Sequence, residues 1–181
     1  TREGQPLVQP YNIFSDCFAT MAFGQLFQAT QDEEYGQIAR NTFTHILSRL
    51  DHPKGRFDKC VPGTRPLKGF SLPMILCNLS LEIEPLLPPT LIEATIERCV
   101  HEVMEVFYDP NTGLIMENVT TDGGLSDTFE GRLLNPGHAM EAMWFIMDLS
   151  IRLGNKQLAD KAVDILLRTV SYGWDQDFGG I

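Results

Sequence analysis

DPNTG, at residues 109–113, follows a helical pattern and belongs to a motif that occurs three times in the chain. In each copy an aspartate is followed four positions later by a glycine, as in DHPKG at 51–55 and DQDFG at 175–179. The aspartates are 58 residues (51 to 109) and 66 residues (109 to 175) apart. Common helical repeats are about 33–47 residues long, so these units are longer. The motif indicates a repeated structure in which each unit ends in a turn.

Two helical patterns precede each of these turns. Apolar residues recur every three or four positions, which is typical of amphipathic helices. The predicted helices cover residues 16–29, 31–50, 71–84, 90–108, 136–153 and 155–172. The first helix of each pair is the more apolar and predicts an inner layer, whereas the more charged second helix predicts an outer layer. We therefore expect an all-α fold, with residues 1–181 as one domain and three helix pairs forming half of a six-pair toroid.

The composition, with 43% hydrophobic and 21% charged residues, is that of an ordinary soluble protein. The net charge is −10 and the 14 Lys and Arg residues form no basic stripe, which argues against nucleic acid and anionic membranes as partners. No run reaches the roughly 18 apolar residues that a membrane span needs. The first residues, TREGQP, are not a signal peptide and lack an initiator methionine. We expect a segment of a longer chain.

The four cysteines, at positions 17, 60, 77 and 99, include no C-x-x-C pair. Three of them lie in apolar helical patterns, where buried reduced thiols are more common than disulfides or zinc ligands. Reduced thiols are typical of the cytoplasm. The cysteines therefore predict a cytoplasmic protein without a metal site.

The stretch NPGHAMEAMWF, residues 135–145, has the features of a helix start. Asn135 suits the N-cap and Pro136 the first helical position. His138 then lies in the first turn, with Glu141 on the same face one turn later. The positive end of the helix dipole favours a neutral imidazole there, which is the form that a general base needs. The alternative is a capped helix whose histidine is satisfied by a neighbour.

Other polar and aromatic residues accompany this helix start. Arg132 and Asn135 belong to the same loop-to-helix junction as the histidine, and sites gather on loops carried by a rigid scaffold. A base, a carboxylate and a guanidinium together suit a polar neutral ligand such as a sugar. Phe14, Trp144 and Trp174 could stack on sugar rings, although Trp144 and the residue after it also fit a helical core.

Three short stretches carry a family resemblance. FSDCF at 14–18, NPGH at 135–138 with Glu141 and WF at 144–145, and GWD at 173–175 before two glycines resemble the N-acylglucosamine 2-epimerase (renin-binding protein) family. The similarity runs from about residue 11 to the end. The resemblance implies an (α/α)6 toroid about twice this length, of which the chain is the central portion. A second essential histidine would then lie outside this sequence.

The reaction that the resemblance implies is the interconversion of N-acetylglucosamine and N-acetylmannosamine by removal and return of the C2 proton. His138 would be one of the two bases. Glu141 would orient the imidazole or hold a sugar hydroxyl, and Arg132 would stabilise charge on the aldehyde oxygen. Asn135 and Phe14 would also contact the substrate.

The same resemblance implies a small-molecule amino sugar as the partner and requires no metal or redox cofactor. Family members can be activated by ATP without consuming it, and this sequence has no Gly-x-x-x-x-Gly-Lys-Ser/Thr loop to decide the matter. A monomer and a homodimer both remain open.

Competing functions exist on the same scaffold. They include a cellobiose 2-epimerase and a mannose-type aldose–ketose isomerase, whose relatives have a histidine near the start of the helix that begins at Ser71. This sequence has Pro73 and Met74 there, which favours the N-acyl-sugar epimerases. A non-catalytic helical interaction protein is another alternative. A glycoside hydrolase would need two carboxylates across a cleft, and only Glu141 is well placed.

Overall fold

The computed structural model describes residues 1–3, 5, 12–51, 61, 63–64 and 66–181. The helices are α1 (Ile13–Thr30), α2 (Glu33–Ser48), α3 (Ser71–Glu82), α4 (Pro89–His101), α5 (Pro136–Leu153) and α6 (Lys156–Gly173). The strands are β1 (Leu67–Gly69), β2 (Tyr108–Asp109), β3 (Leu114–Ile115) and β4 (Asn118–Thr120). A 3-10 helix covers Glu84–Leu86 and a π-helix covers Glu102–Val106. The helices thus occupy the regions in which the sequence predicts them.

The residues divide into two compact units. The N-terminal unit comprises Thr1–Arg65 and Glu82–Leu87, and the C-terminal unit comprises Pro66–Leu81 and Pro88–Ile181. The single domain predicted from the sequence stays a prediction.

The N-terminal unit is built on the pair of helices α1 and α2. Gln31 ends α1 in the left-handed region, with φ 58°. Asp32 then caps α2 by accepting a hydrogen bond from the backbone N–H of Glu34 at 3.0 Å. Because Asp32 takes the cap position, α2 begins two residues later than predicted. An ion pair of 2.7 Å between Arg49 and Asp16 ties the end of α2 to the start of α1.

The C-terminal unit contains helices of unequal burial. Seven of the twelve residues of α3 are buried, whereas α6 buries only Ala162, Ile165 and Thr169 among its 18 residues. This difference agrees with the predicted contrast between first and second helices, and so does the pair of α5, with seven buried residues, and α6. The pair of α1 and α2 shows no such contrast, because each buries four residues. The rings of Phe70 and Phe107 pack edge to face in the core, with centroids 5.4 Å apart.

The predicted helix at 90–108 changes its register before it ends. The α-helix stops at His101, and a π-helical turn follows in which the N–H of Phe107 bonds to the carbonyl of Glu102 at 3.0 Å. Such a turn accommodates one additional residue within a helix. The buried face of the segment nevertheless continues through Val103 to Phe107, as its apolar spacing predicts.

The four strands are a feature that the helical patterns do not predict. Strands β1 and β4 pair antiparallel, with Gly69 opposite Asn118, and β2 pairs with β3 on either side of the turn at 109–113. Each strand has only two or three residues. A period-2 pattern cannot be recognised over so short a length.

Two of the three predicted Asp turns are described by the structure. Gly113 and Gly179 both donate their backbone N–H to the carbonyl oxygen of the aspartate four residues earlier. Both glycines have positive φ angles, 73° and 74°, which explains the choice of glycine. The remaining turn, at 51–55, lies outside the described residues after its aspartate.

Three cysteines are buried and free in the described part of the chain, as predicted. Burial and the neighbouring Asp16 carboxylate raise the pKa of the Cys17 thiol to about 12. The hydrogen bond with Cys99, together with burial, holds the pKa of Cys77 well above its usual range. Both environments disfavour the reactive thiolate. Cys60 lies outside the described residues.

None of the helices in the described residues is both long enough and apolar enough to cross a membrane.

Candidate active site

His138 lies in the first turn of α5, as the sequence predicts. The side-chain oxygen of Asn135 accepts a hydrogen bond from the backbone N–H of His138 at 3.3 Å, and Pro136 occupies the first helical position. This cap fixes where the helix begins and therefore which way the histidine side chain projects. The side chain is 35% exposed, so a ligand can reach the imidazole.

The imidazole contacts a carboxylate that lies 21 residues earlier in the chain. Nδ1 of His138 is 3.0 Å from Oε1 and 3.1 Å from Oε2 of Glu117. The Glu117 side chain is only 14% exposed. The hydroxyl of Ser71, at the start of α3, donates a hydrogen bond to Oε1 of Glu117 at 3.3 Å. Three separate elements of the C-terminal unit thus meet at this carboxylate.

The backbone of Glu117 is fixed on both sides. Its carbonyl oxygen accepts a hydrogen bond from the N–H of Phe70 at 3.0 Å, and its own N–H donates to the carbonyl of Leu133 at 3.3 Å. The next residue, Asn118, pairs with Gly69 in the β1–β4 ladder. The short strands therefore place Glu117 against the start of α5.

Glu141 follows His138 by three residues on α5, as predicted, but the observed partner of the imidazole is another carboxylate. Glu141 is exposed on α5, and the carboxylate that hydrogen-bonds the imidazole is Glu117. Side chains on a helix lean toward its N-terminus. A histidine in the first turn can therefore meet groups that precede the helix. A role for Glu141 in holding a sugar hydroxyl stays a prediction.

Arg132 and Asn135 lie near the helix start but have protein partners. The exposed guanidinium of Arg132 forms an ion pair and a hydrogen bond with Asp127, whose backbone carbonyl it also contacts at 3.1 Å. The side-chain oxygen of Asn135 is used by the helix cap. Their roles toward a substrate stay predictions.

The aromatic residues singled out in the sequence divide between the two units. Phe14 is half-buried in the first turn of α1, in the N-terminal unit, and its proposed contact with substrate stays a prediction. In the C-terminal unit Phe145 is buried at 2% exposure, whereas Trp144 is 56% exposed. The core alternative thus describes Phe145 and not Trp144.

Glu117 and Ser71 are the site residues that sequence reasoning missed. Glu117 follows the apolar residues Leu114, Ile115 and Met116, and a single carboxylate after such a run was the available signal. Its partner lies on a different element, and no spacing rule connects the two residues. Within the described part of the chain, no group of three or more His, Cys, Asp or Glu residues could hold a metal ion.

Comparison with known proteins places the chain in a family. The family model of N-acylglucosamine 2-epimerase (GlcNAc 2-epimerase) matches residues 1–181. The N-acylglucosamine 2-epimerase of Bos taurus is 32% identical over 185 residues, an alignment that covers 100% of this chain and 44% of that protein. The chain thus spans less than half the length of this relative.

Solved structures agree with the predicted fold class. A sugar epimerase from a ruminal bacterium has a TM-score of 0.73 at 18% identity, with 97% of this chain and 47% of that chain covered. A D-mannose isomerase has a TM-score of 0.72 at 15% identity, with 94% and 47% covered. The fold is that of the (α/α)6 toroid, and the chain contains about half of it.

Proposed function

The chain belongs to the N-acylglucosamine 2-epimerase family, and on that premise we propose that the full-length protein interconverts N-acetylglucosamine and N-acetylmannosamine. The observation that carries the proposal is the His138–Glu117 pair at the start of α5. A partly exposed imidazole held by a carboxylate is the arrangement of a general base. The names of the relatives supply the sugar class.

His138 removes the C2 proton from the open-chain sugar. The electron pair of the broken C2–H bond forms a C1–C2 double bond, and the carbonyl electron pair moves onto the aldehyde oxygen to give an enolate that keeps the acetamido group on C2. A proton then returns to C2 from the opposite face. Inversion requires a second base on that face, and we assign it to the part of the protein outside this sequence.

The remaining predicted residues bind the sugar in this proposal. Arg132 stabilises the negative charge on the aldehyde oxygen after leaving its surface ion pair with Asp127, which is weak because it is solvated. Glu141 accepts a hydrogen bond from a sugar hydroxyl. Asn135 offers its amide nitrogen, because its oxygen caps the helix.

The main rivals are a mannose-type isomerase and a cellobiose 2-epimerase. One solved structure of similar fold is a D-mannose isomerase. The sequence at the start of α3, with Pro73 and Met74, supports the N-acyl-sugar reaction instead. Product analysis with N-acetylglucosamine, mannose and cellobiose separates the three reactions, and turnover of mannose or cellobiose alone would replace the proposal.

We place the protein in the cytoplasm, and the free buried thiols of Cys17, Cys77 and Cys99 support that location. The proton transfers require no redox cofactor and consume no ATP, so a nucleotide would act only as an activator. Light scattering on the full-length protein distinguishes the monomer from the homodimer.

The decisive experiment is solvent exchange by the His138→Asn variant of the full-length protein in D₂O. Wild type should place deuterium at C2 of both substrate and product. Because loss of a general base costs roughly 10²- to 10⁴-fold in rate, the variant should lose exchange from the epimer whose proton faces His138. Nuclear magnetic resonance of the C2 position measures both.

The matched control is His101→Asn, since His101 is an exposed histidine at the end of α4. The control should exchange and epimerise at the wild-type rate. Near wild-type exchange by His138→Asn would mean that His138 is a structural residue of the helix start and would overturn the proposed function.

A further inference from the structure

We propose that Glu117 is the positioning residue that makes Nε2 the proton-accepting atom of His138, and that Ser71 holds the Glu117 carboxylate in place. The inference rests on the proposed role of His138 as a base. It adds two residues from other elements and names the reacting atom of the imidazole.

The assignment of the atom follows from the contacts of the ring. Both oxygens of Glu117 lie within 3.1 Å of Nδ1. An ionised carboxylate only accepts hydrogen bonds, so Nδ1 must carry a proton to make this contact. In a neutral imidazole the other nitrogen then has the lone pair. Nε2 is therefore the atom that can take a proton from a substrate.

The position of Glu117 is determined independently of α5. Hydrogen bonds with Phe70 and Leu133 hold its backbone, and Ser71 contacts one of its carboxylate oxygens. The side chain is 14% exposed, so its rotamers are restricted by packing. A carboxylate held in this way fixes both the tautomer and the orientation of the ring.

Glu117 also acts during the proposed step. When the C2–H bond breaks, Nε2 gains the proton and the ring becomes a cation, while the electron pair stays with the enolate. Glu117 remains ionised and keeps its hydrogen bond from Nδ1–H, so the new positive charge faces a carboxylate. No proton passes to Glu117, and the same geometry serves the return of the proton.

The first measurement uses the wild-type full-length protein with ¹⁵N in its histidine rings. The spectrum of His138→Asn identifies the His138 signals. At a pH where the ring is neutral, we expect a proton on Nδ1 and none on Nε2. A proton on Nε2 would overturn the proposal, and this result does not depend on the folding of any Glu117 variant.

The second measurement compares kinetic constants. Glu117→Gln can present its amide N–H₂ to Nδ1 and so favour the wrong tautomer. We expect kcat to fall roughly 10²- to 10⁴-fold, with KM changed much less, because Glu117 does not touch the substrate. Glu117→Asp keeps the carboxylate and should recover part of kcat, and Ser71→Ala should lose less than Glu117→Gln. The control Glu97→Gln, at an exposed glutamate on α4, should match wild type.

These results separate the two proposals. If His138→Asn is inactive while Glu117→Gln matches wild type, the positioning role is overturned and the base remains. If His138→Asn retains exchange, the proposed function is overturned, and the ¹⁵N signals of the wild type still decide whether Glu117 sets the tautomer.

Discussion

The turns at residues 109–113 and 175–179 share two hydrogen bonds, but the aspartate of one is buried and that of the other is exposed. In each, the aspartate Oδ1 accepts a hydrogen bond from the backbone N–H two residues later, at 3.0 Å from Asn111 and 2.8 Å from Asp177. The glycine N–H bonds to the aspartate carbonyl at 2.8 and 3.0 Å. Local sequence therefore determines this conformation in either environment.

Burial and neighbours distinguish the two turns. Asp109 is 5% exposed, and its second carboxylate oxygen accepts a hydrogen bond from the hydroxyl of Thr112 at 2.8 Å. Asp175 is exposed, and the residue equivalent to Thr112 is Phe178, which has no hydroxyl. Water can replace hydrogen bonds lost at Asp175 but has little access to Asp109. The same turn should thus contribute differently to stability.

The largest expected effect is the loss of a turn carboxylate. Asp109→Ala removes the acceptor for Asn111 and Thr112 and should lower the free energy of unfolding by about 3 kcal/mol. Asp175→Ala should lower the free energy of unfolding much less, because water can replace the exposed carboxylate as hydrogen-bond acceptor. Urea unfolding of the full-length variants measures the difference. Equal losses would show that burial does not distinguish the turns.

Replacement of the turn glycines, Gly113 and Gly179, should have an effect of intermediate size on stability. Alanine at either position must adopt a positive φ, which costs about 1 kcal/mol. A Cβ at Gly113 would also lie 2.5 Å from the Arg168 side chain, whereas at Gly179 the nearest neighbour, Trp174, is 3.7 Å away. We expect Gly113→Ala to cost about 2 kcal/mol and Gly179→Ala about half of that. Thermal unfolding of the two variants tests the order, and a larger loss at Gly179 would contradict it.

The smallest expected effect is the loss of folding stability at acidic pH. Burial alone would raise the pKa of Asp109, but hydrogen bonds from Thr112 and Asn111 outweigh it and lower the pKa below the ordinary 3.8. Backbone hydrogen bonds from Phe178 and Asp177 likewise lower the pKa of Asp175. Both carboxyls therefore have a lower pKa in the folded protein than in the unfolded chain, and the unfolded chain binds protons more readily. The stability that they contribute is present above the unfolded pKa of 3.8 and is lost as the pH falls through the folded pKa values.

The acid dependence is measured by urea unfolding from about pH 5 to about pH 2. Asp109→Asn and Asp175→Asn should each show a shallower loss of stability than wild type. The Glu97→Gln variant, changed at an exposed glutamate of α4, serves as the control. An unchanged slope in Asp109→Asn would mean that its hydrogen bonds do not favour the ionised form.

Helix ends were predictable where the signal is local. The predicted range 136–153 coincides with α5, because Asn135, Pro136 and Gly154 mark its ends within one turn of each boundary. The π-helical turn at 102–106 and the β1–β4 pair were not predictable. The first leaves the apolar spacing of the segment unchanged, and the second joins residues about 50 positions apart.

The candidate site shows the same difference between local features, which the sequence predicts, and contacts between distant residues, which it does not. His138 is predictable because it belongs to a capped helix start that short-range rules describe. Helical spacing is the only proximity that a single sequence displays, so the sequence indicates Glu141 as an orienting group and gives no link between Glu117 and His138. The actual partner comes from a strand end, and the β1–β4 ladder brings it to the histidine. Contacts between elements require the tertiary structure.

The separation of Ser71, Glu117 and His138 along the chain has a consequence for folding kinetics. The two intervals are 46 and 21 residues, and helices form on a timescale of about a microsecond or less. The hydrogen bonds of Glu117 with Ser71 and His138 can form only after two chain loops have closed, and loop closure lowers the conformational entropy of the chain. During refolding, helical circular dichroism should therefore return before the tautomer of His138 is fixed, and the histidine signal reports the docking of elements rather than their formation.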